Sequence, residues 1–235
     1  AKIEDEPAFK VNFDELDVSL LSTFQKAIGA EEKDVAIFMK RNGLACQYQG
    51  RFVPNKAGVL LFSENPSVAL RGKYGTKVSV YYGKEPYYSG EPNLAEKPIA
   101  IEGPLIRQIY DTLAYVKGWL KKGPRLREAG FLEEYYLPDY ALQEAITNAV
   151  IHRDYSIQND IQIRIFDNRV EVESPGGLPG HITLANIQQE RFARNPIILR
   201  TLNRMPNSPN LDIGEGVRRI FEAMKGADLV DPVYT

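Results

Sequence analysis

Glu144, Asn148 and His152 stand at i, i+4 and i+8 in one stretch, Glu144-Ala-Ile-Thr-Asn148-Ala-Val-Ile-His152. Each step of four advances only about 40° around a helix of 3.6 residues per turn, so the three share one polar ribbon. Beside it Leu142, Ala145, Ile146, Ala149 and Val150 recur at helical spacing, which predicts a helix started at Pro138-Asp139 with Asp139 as its N-cap. A carboxamide oxygen can ligate a hard cation such as Mg²⁺, and a carboxylate one turn away can orient or deprotonate a water. A polar helix edge with no chemistry has the same pattern, so the ribbon needs partners from the rest of the chain.

Three downstream features could supply them. Ile161, Ile163 and Ile165 alternate with polar residues, a turn follows at Asp167-Asn168, and Val170 and Val172 continue the alternation. This predicts an antiparallel hairpin with one buried face. Next comes Ser174-Pro175-Gly176-Gly177-Leu178-Pro179-Gly180, whose glycines let a ligand approach the backbone. Residues 181–210, rich in Asn, Ser and Pro around a short helix at Pro196–Arg204, have the composition of a mobile lid. Gly214-Glu215-Gly216 then opens a helix with Val217, Ile220, Phe221 and Met224 inward, closed by Gly226. The unbonded N–H groups at such a start favour an anion, though tight packing of the turn would also explain the glycines.

Upstream, helices are expected over Asp14–Ile28 and Lys33–Lys40, then a short strand pair at Phe52-Val53 and Ala57–Phe62. That order fits a winged-helix-like unit at 14–62, but no basic recognition helix stands out, and a plain α+β connector is the preferred reading. A strand at 78–82 leads into a Gly/Pro-rich loop, Gly83–Pro98. Tyr87 and Tyr88 at its tip could stack a base or a peptide, but such pairs more commonly pack on their own domain. A long amphipathic helix begins at Gly103-Pro104 and ends at Lys121-Lys122-Gly123-Pro124. Lys117, Lys121, Lys122, Arg125 and Arg127 gather there, suited to phosphate contact or simply to the helix dipole. The Gly-Pro gives the expected boundary: an α+β connector over 1–122 and a second unit over 123–235.

Composition narrows the function classes. The chain has 235 residues, 43% hydrophobic and 26% charged, with a net charge of -2. No apolar run is long enough to span a membrane, and the acidic start is unlike a signal or transit peptide. One cysteine, Cys46, rules out an internal disulfide, and two histidines make a His-based metal cluster improbable, so a cytoplasmic address is expected. The charge balance argues against a general nucleic-acid binder. Neither Gly72-Lys73 nor Gly83-Lys84 is followed by Ser or Thr, so no P-loop motor is encoded.

The order of the features is more telling than any one of them. Helix with Glu-x3-Asn-x3-His, hairpin, glycine loop, lid and Gly-x-Gly helix resembles the GHKL ATPases, the Bergerat fold of gyrase, MutL and the histidine kinases. Asn148-Ala149…His152-Arg153-Asp154-Tyr155-Ser156, Ser174-Pro175-Gly176-Gly177-Leu178-Pro179, Arg194-Asn195-Pro196 and Gly214-Glu215-Gly216-Val217-Arg218-Arg219-Ile220 are similar to a divergent branch. That branch is known as RecG-related ATP-dependent DNA helicase, C-terminal, in prokaryotic transcriptional regulators with a Schlafen/Alba-type N-terminal domain. Asn55–Phe62 and Glu102–Leu105 resemble its connector.

The resemblance implies an α+β fold: a GHKL-like sandwich of helices over a mixed, mostly antiparallel sheet, preceded by the connector. It implies ATP and Mg²⁺ as cofactors, with Asn148 on the metal and Glu144 as the base of hydrolysing members. Gly176 and Gly177 would lie near adenine, Gly214 and Gly216 would hold phosphate, Arg194 would neutralise it, and His152 would orient Glu144 or cap its helix. Ser174 takes the place of the superfamily's adenine-reading aspartate, and a neutral hydroxyl bonds less strongly than a carboxylate. The implied role is a nucleotide-responsive module, DNA being bound by domains outside the chain and a homodimer among the partners. A degenerate scaffold and a slow ATPase are the alternatives.

Overall fold

Short polar side chains set the starts of the first helices. In the computed structural model, which describes residues 2–121, 137–209 and 215–235, Asp17 accepts from Leu20 N (2.9 Å) to begin α1, Val18–Ala27. Asp34 accepts from Ile37 N (3.0 Å) to begin α2, Val35–Arg41. An antiparallel hairpin follows, β1 (Ala45–Tyr48) with β2 (Arg51–Pro54).

Residues 57–62, expected as a strand, are helical: α3 spans Lys56–Phe62. Asn55 decides this locally, accepting from Gly58 N (2.9 Å) and donating to Gly43 O (2.8 Å). The helix is buried on every side from Ala57 to Phe62, so its sequence is apolar throughout and carries no helical period. The short helix α4 is Pro66–Ala69.

A four-stranded mixed sheet carries the rest. Its strands are β3 (Thr76–Val80), β4 (Ile99–Ile101), β5 (Ile161–Ile165) and β6 (Val170–Glu173), in the order β4-β3-β5-β6. The central pair β3–β5 is parallel, with Val78 opposite Ile163, and both outer pairs are antiparallel. Strand β4 escaped the sequence reading because it is only three residues long at a sheet edge.

Helix α5, Leu105–Leu120, packs on β3 and β4, and α6, Asp139–Ile151, packs on α5 and β6. Helix α8, Gly216–Gly226, lies on α6, and α7, Pro196–Asn203, reaches back to α3. The alternating Ile161, Ile163 and Ile165 all point into the core.

The expected 1–122 and 123–235 stretches thus share one sheet, since β3 and β4 come from the first and β5 and β6 from the second. One buried cluster runs from Phe24, Phe38 and Phe62 through Val78 and Ile109 to Ile146, Ile163 and Leu202. The boundary residues Gly123-Pro124, with Lys122, Arg125 and Arg127, lie outside the described residues. Lys117 of the basic group pairs with Asp139 (2.5 Å). The tip tyrosines do not pack inward: Tyr88 is 93% exposed.

Candidate functional site around helix α6

Helix α6 forms because nearly all its faces are needed inside. Ala141, Leu142, Ile146, Ala149, Val150 and Ile151 are buried, and so are Glu144 and Thr147. Pro138, not Asp139, occupies the N-cap, and Asp139 lies in the first turn facing Lys117. Proline has no side-chain acceptor, so the helix start is fixed by the turn and the ion pair rather than by a cap.

Glu144 is the unusual member, a carboxylate only 6% exposed. Asn148 Nδ2 donates to its Oε1 (3.2 Å). Burial raises its pKa above the ordinary carboxylate range, and the Asn148 hydrogen bond and the Arg219 charge pull it back down. Against it lies the first turn of α8. A Cβ built on Gly216 would sit 1.8 Å from Glu144 Oε1, so only glycine lets this backbone meet the carboxylate. Among the described residues no side chain caps helix α8, and its first N–H groups open beside the acid. Tyr140 and Tyr234 close the surroundings. Arg219 stands over the Tyr140 ring (5.9 Å), and Tyr234 stacks on Phe221 (6.1 Å). Burial, then the Glu144 charge, pushes the Tyr234 hydroxyl up to about 12.

Two turns further along α6, about 12 Å at 1.5 Å per residue, a second group assembles. His152 is the C-cap residue, its N–H donating to Asn148 O (2.9 Å). Burial and the nearby Arg194 charge hold its imidazole down to about 4, so it is neutral at pH 7. Its Nδ1 is buried with no hydrogen-bond partner among the described residues. Ser174 Oγ donates to Ala149 O (2.7 Å), tying the end of β6 to α6. The glycine loop then turns at Gly176, φ +103°, where a Cβ would lie 2.5 Å from Arg194 Nη1 and 2.6 Å from Asp154 Cβ. Arg194 Nη2 donates to Gly177 O (2.5 Å), and Nη1 stands 3.9 Å from Asp154.

The sequence-predicted residues therefore fall in two adjoining groups along α6: Glu144 and Asn148 meet Gly216, and one turn beyond Asn148 His152 lies with Ser174, Gly176, Gly177 and Arg194. Arg194 is engaged with the glycine loop, at Gly177 O and beside Asp154. Gly214 lies outside the described residues. Among the described residues no group of three or more His, Cys, Asp or Glu could hold a metal. A cation would depend on Asn148 Oδ1, Glu144 and the ligand's own oxygens.

Three residues went unassigned from sequence. Arg153, 1% exposed, lies over the Tyr74 and Tyr155 rings and donates to Lys73 O (2.5 Å) and Asn159 O (2.6 Å), stapling the end of α6 to the start of β3. Asp154 backs the glycine loop through its N–H to Pro175 O (2.8 Å). Asn195, also 1% exposed, donates to Ile151 O and Arg153 O (both 2.8 Å). Their adjacency in His152–Tyr155 and Arg194-Asn195-Pro196 is visible in the sequence; their partners, up to 80 residues away, are not.

Residues 158–235 match the family model described as "Putative ATP-dependent DNA helicase recG C-terminal". No curated protein matches the chain. A crystal structure of the DIP2311 protein from Corynebacterium diphtheriae superposes with a TM-score of 0.68 at 22% identity over 99% of this chain. The chain spans 44% of that protein's length, and the likeness is one of fold. With the α+β sheet, the hairpin and the glycine loop in place, residues 158–235 are similar to a RecG-related, GHKL-like C-terminal domain.

Proposed function

We propose that this chain is a nucleotide-binding module, taking ATP with Mg²⁺ along helix α6. The observation that supports it most is the meeting of buried Glu144, Asn148 and the side-chain-free start of α8 at Gly216. The donor set fits the group. With Asn148 Nδ2 turned to the carboxylate, Oδ1 is the atom for a hard cation, and the uncapped N–H groups of α8 suit phosphate oxygens. A bound Mg²⁺ would supply charge neutralisation. Glu144, with its pKa raised by burial, is suited to accept a proton from a water, which is the slow-ATPase form of the reading. The family's description names a DNA helicase. Because the sequence has no P-loop, DNA association is assigned to attached domains rather than to a motor here.

One observation favours the scaffold reading instead. The Ser174 hydroxyl proton is directed inward to Ala149 O, and Arg194 already bonds the glycine loop, so the base-reading end is closed by the protein's own groups.

Thermal unfolding with ATP, ADP and GTP, each with and without Mg²⁺, separates the two. A nucleotide at about 100 times its Kd adds about 2.7 kcal/mol to the folded state, a rise of about 5–10 °C for a chain of this size. The nucleotide reading expects a Mg²⁺-dependent rise that Asn148→Ala abolishes. No shift at millimolar nucleotide would select the scaffold. Phosphate release lost in Glu144→Ala, with binding kept, would add turnover.

A further inference from the structure

The N-terminal end of α7 is capped by a residue from the far end of the chain. Glu4, in the 3₁₀ turn Ile3–Asp5, is fully buried. Its carboxylate accepts from Ile197 N (3.1 and 3.3 Å) and Ile198 N (3.2 Å). Caps normally come from the residue just before a helix. Here Asn195 holds that place, but its side chain is directed to Ile151 O and Arg153 O. The strap carrying Glu4 is itself fastened: Ala8 N donates to Pro54 O and Lys56 N to Glu6 O (both 2.8 Å), and Lys56 pairs with Glu6 (2.8 Å).

Positions within one short stretch, 194–198, therefore hold three different parts of the molecule. Arg194 holds the glycine loop at Gly177 O, Asn195 holds the end of α6, and the amides of Ile197 and Ile198 are held by Glu4. A negative charge at a helix start is favoured by the dipole, and burial raises the effect of losing it. Without the carboxylate, two buried N–H groups lose their acceptor, and the turn must move to find water. Ile198 is fully buried, so that movement shifts residues 194–198 and takes Arg194 off the loop.

We propose that Glu4 is a positioning residue for the Gly176–Gly177 loop, acting through the first turn of α7 and Arg194. Its bearing on ligand binding rests on the nucleotide reading above; the mechanical linkage does not.

Hydrogen exchange on the whole chain tests it, using wild type, Glu4→Gln, Arg194→Lys, the double variant and Glu6→Ala. Glu4→Gln is expected to speed exchange about tenfold or more, both at amides 197–198 and at the Asp154 amide, which the loop's Pro175 O holds, with β3 and β5 unchanged. Arg194→Lys is expected to speed the Asp154 amide alone, and the double variant to exchange there no faster than Arg194→Lys. Glu6→Ala, which removes only the half-exposed ion pair with Lys56 and keeps the strap's backbone bonds, should match wild type at both places. Four results would overturn the proposal: faster exchange at 197–198 with the Asp154 amide unchanged, a uniform rise across the sheet, additive effects in the double variant, or a Glu6→Ala that speeds the Asp154 amide as Glu4→Gln does. Should Glu4→Gln fail to fold, Glu4→Asp keeps the charge on a shorter stem and must give the same pattern at smaller amplitude. Mg·ATP affinity measured on the same proteins is expected to fall about fivefold in Glu4→Gln. If wild type binds no nucleotide, the exchange pattern still decides the role of Glu4, and only the nucleotide reading fails.

Discussion

Glu144 and Gly216 define the tightest contact in the site, and it can be broken from either side. A methyl group at position 216 would lie 1.8 Å from the carboxylate. Gly216→Ala should therefore destabilise the fold by about 1–3 kcal/mol and abolish any nucleotide-dependent shift in Tm. Glu144→Ala in the same background removes the clashing atoms and should restore much of the stability; two simply additive losses would show that the contact is not the cause. His152 gives a second test at this scale. Its folded-state pKa near 4 lies below the ordinary 6.5. As pH falls below 6.5 the unfolded chain takes up the proton first, so the stability from neutral His152 is complete above 6.5 and lost as pH falls towards 4. The slope is about 1.4 kcal/mol per pH unit. Glu4 and Glu144, with raised carboxyl pKa values, act in the opposite sense and partly offset it. The Tm difference between wild type and His152→Gln should therefore shrink between pH 7 and pH 4.5; a difference independent of pH would mean that His152 is not held neutral.

At the scale of elements, α7 departs most from expectation. Its composition suggested part of a mobile lid, but Ile198, Thr201 and Leu202 are buried and its start is fastened by Glu4 and Asn195. A short amphipathic helix among polar residues looks like a loop insertion until its apolar face finds the core. Asn195→Ala would leave two buried carbonyls without their donor, for about 1–3 kcal/mol of lost stability. The loss should appear as a lower denaturant midpoint at unchanged m-value. A cost within 0.5 kcal/mol would show that the α6–α7 junction is held by packing alone. The stretch Ser174–Gly180 is likewise fixed by its neighbours: β6 leads into it, Ser174 ties it to α6, and Arg194 closes it.

For the whole molecule, the parallel β3–β5 pair is decisive. Because it joins residues 76–80 to residues 161–165, neither half of the chain can complete the sheet. Residues 1–121 and 137–235, produced separately, should each lack cooperative unfolding, and their mixture should recover it. Cooperative unfolding of 137–235 alone would show that β5 and β6 with α6 and α8 suffice. Within the described residues no helix is long and apolar enough to cross a membrane.

What the sequence determined by itself is what short-range physics writes into it. The helix at 139–151, the hairpin at 161–173, the long helix ending near Leu120 and the glycine turn at 176 follow from period, alternation and the backbone freedom of glycine. So does the expectation that Glu144 and Asn148 share one face. The resemblance to the GHKL-like, RecG-related branch was legible for the same reason, since it rests on contiguous motifs. The tertiary structure alone decided which residues meet across the chain. It made α3 a helix, because an element buried on all sides carries no period. It placed Arg194 on the glycine loop at Gly177 O, and it brought Glu4 to the start of α7 across 193 positions. It also joined the two expected units into one sheet. Burial and long-range pairing arise from how elements pack against one another, and no local spacing records them.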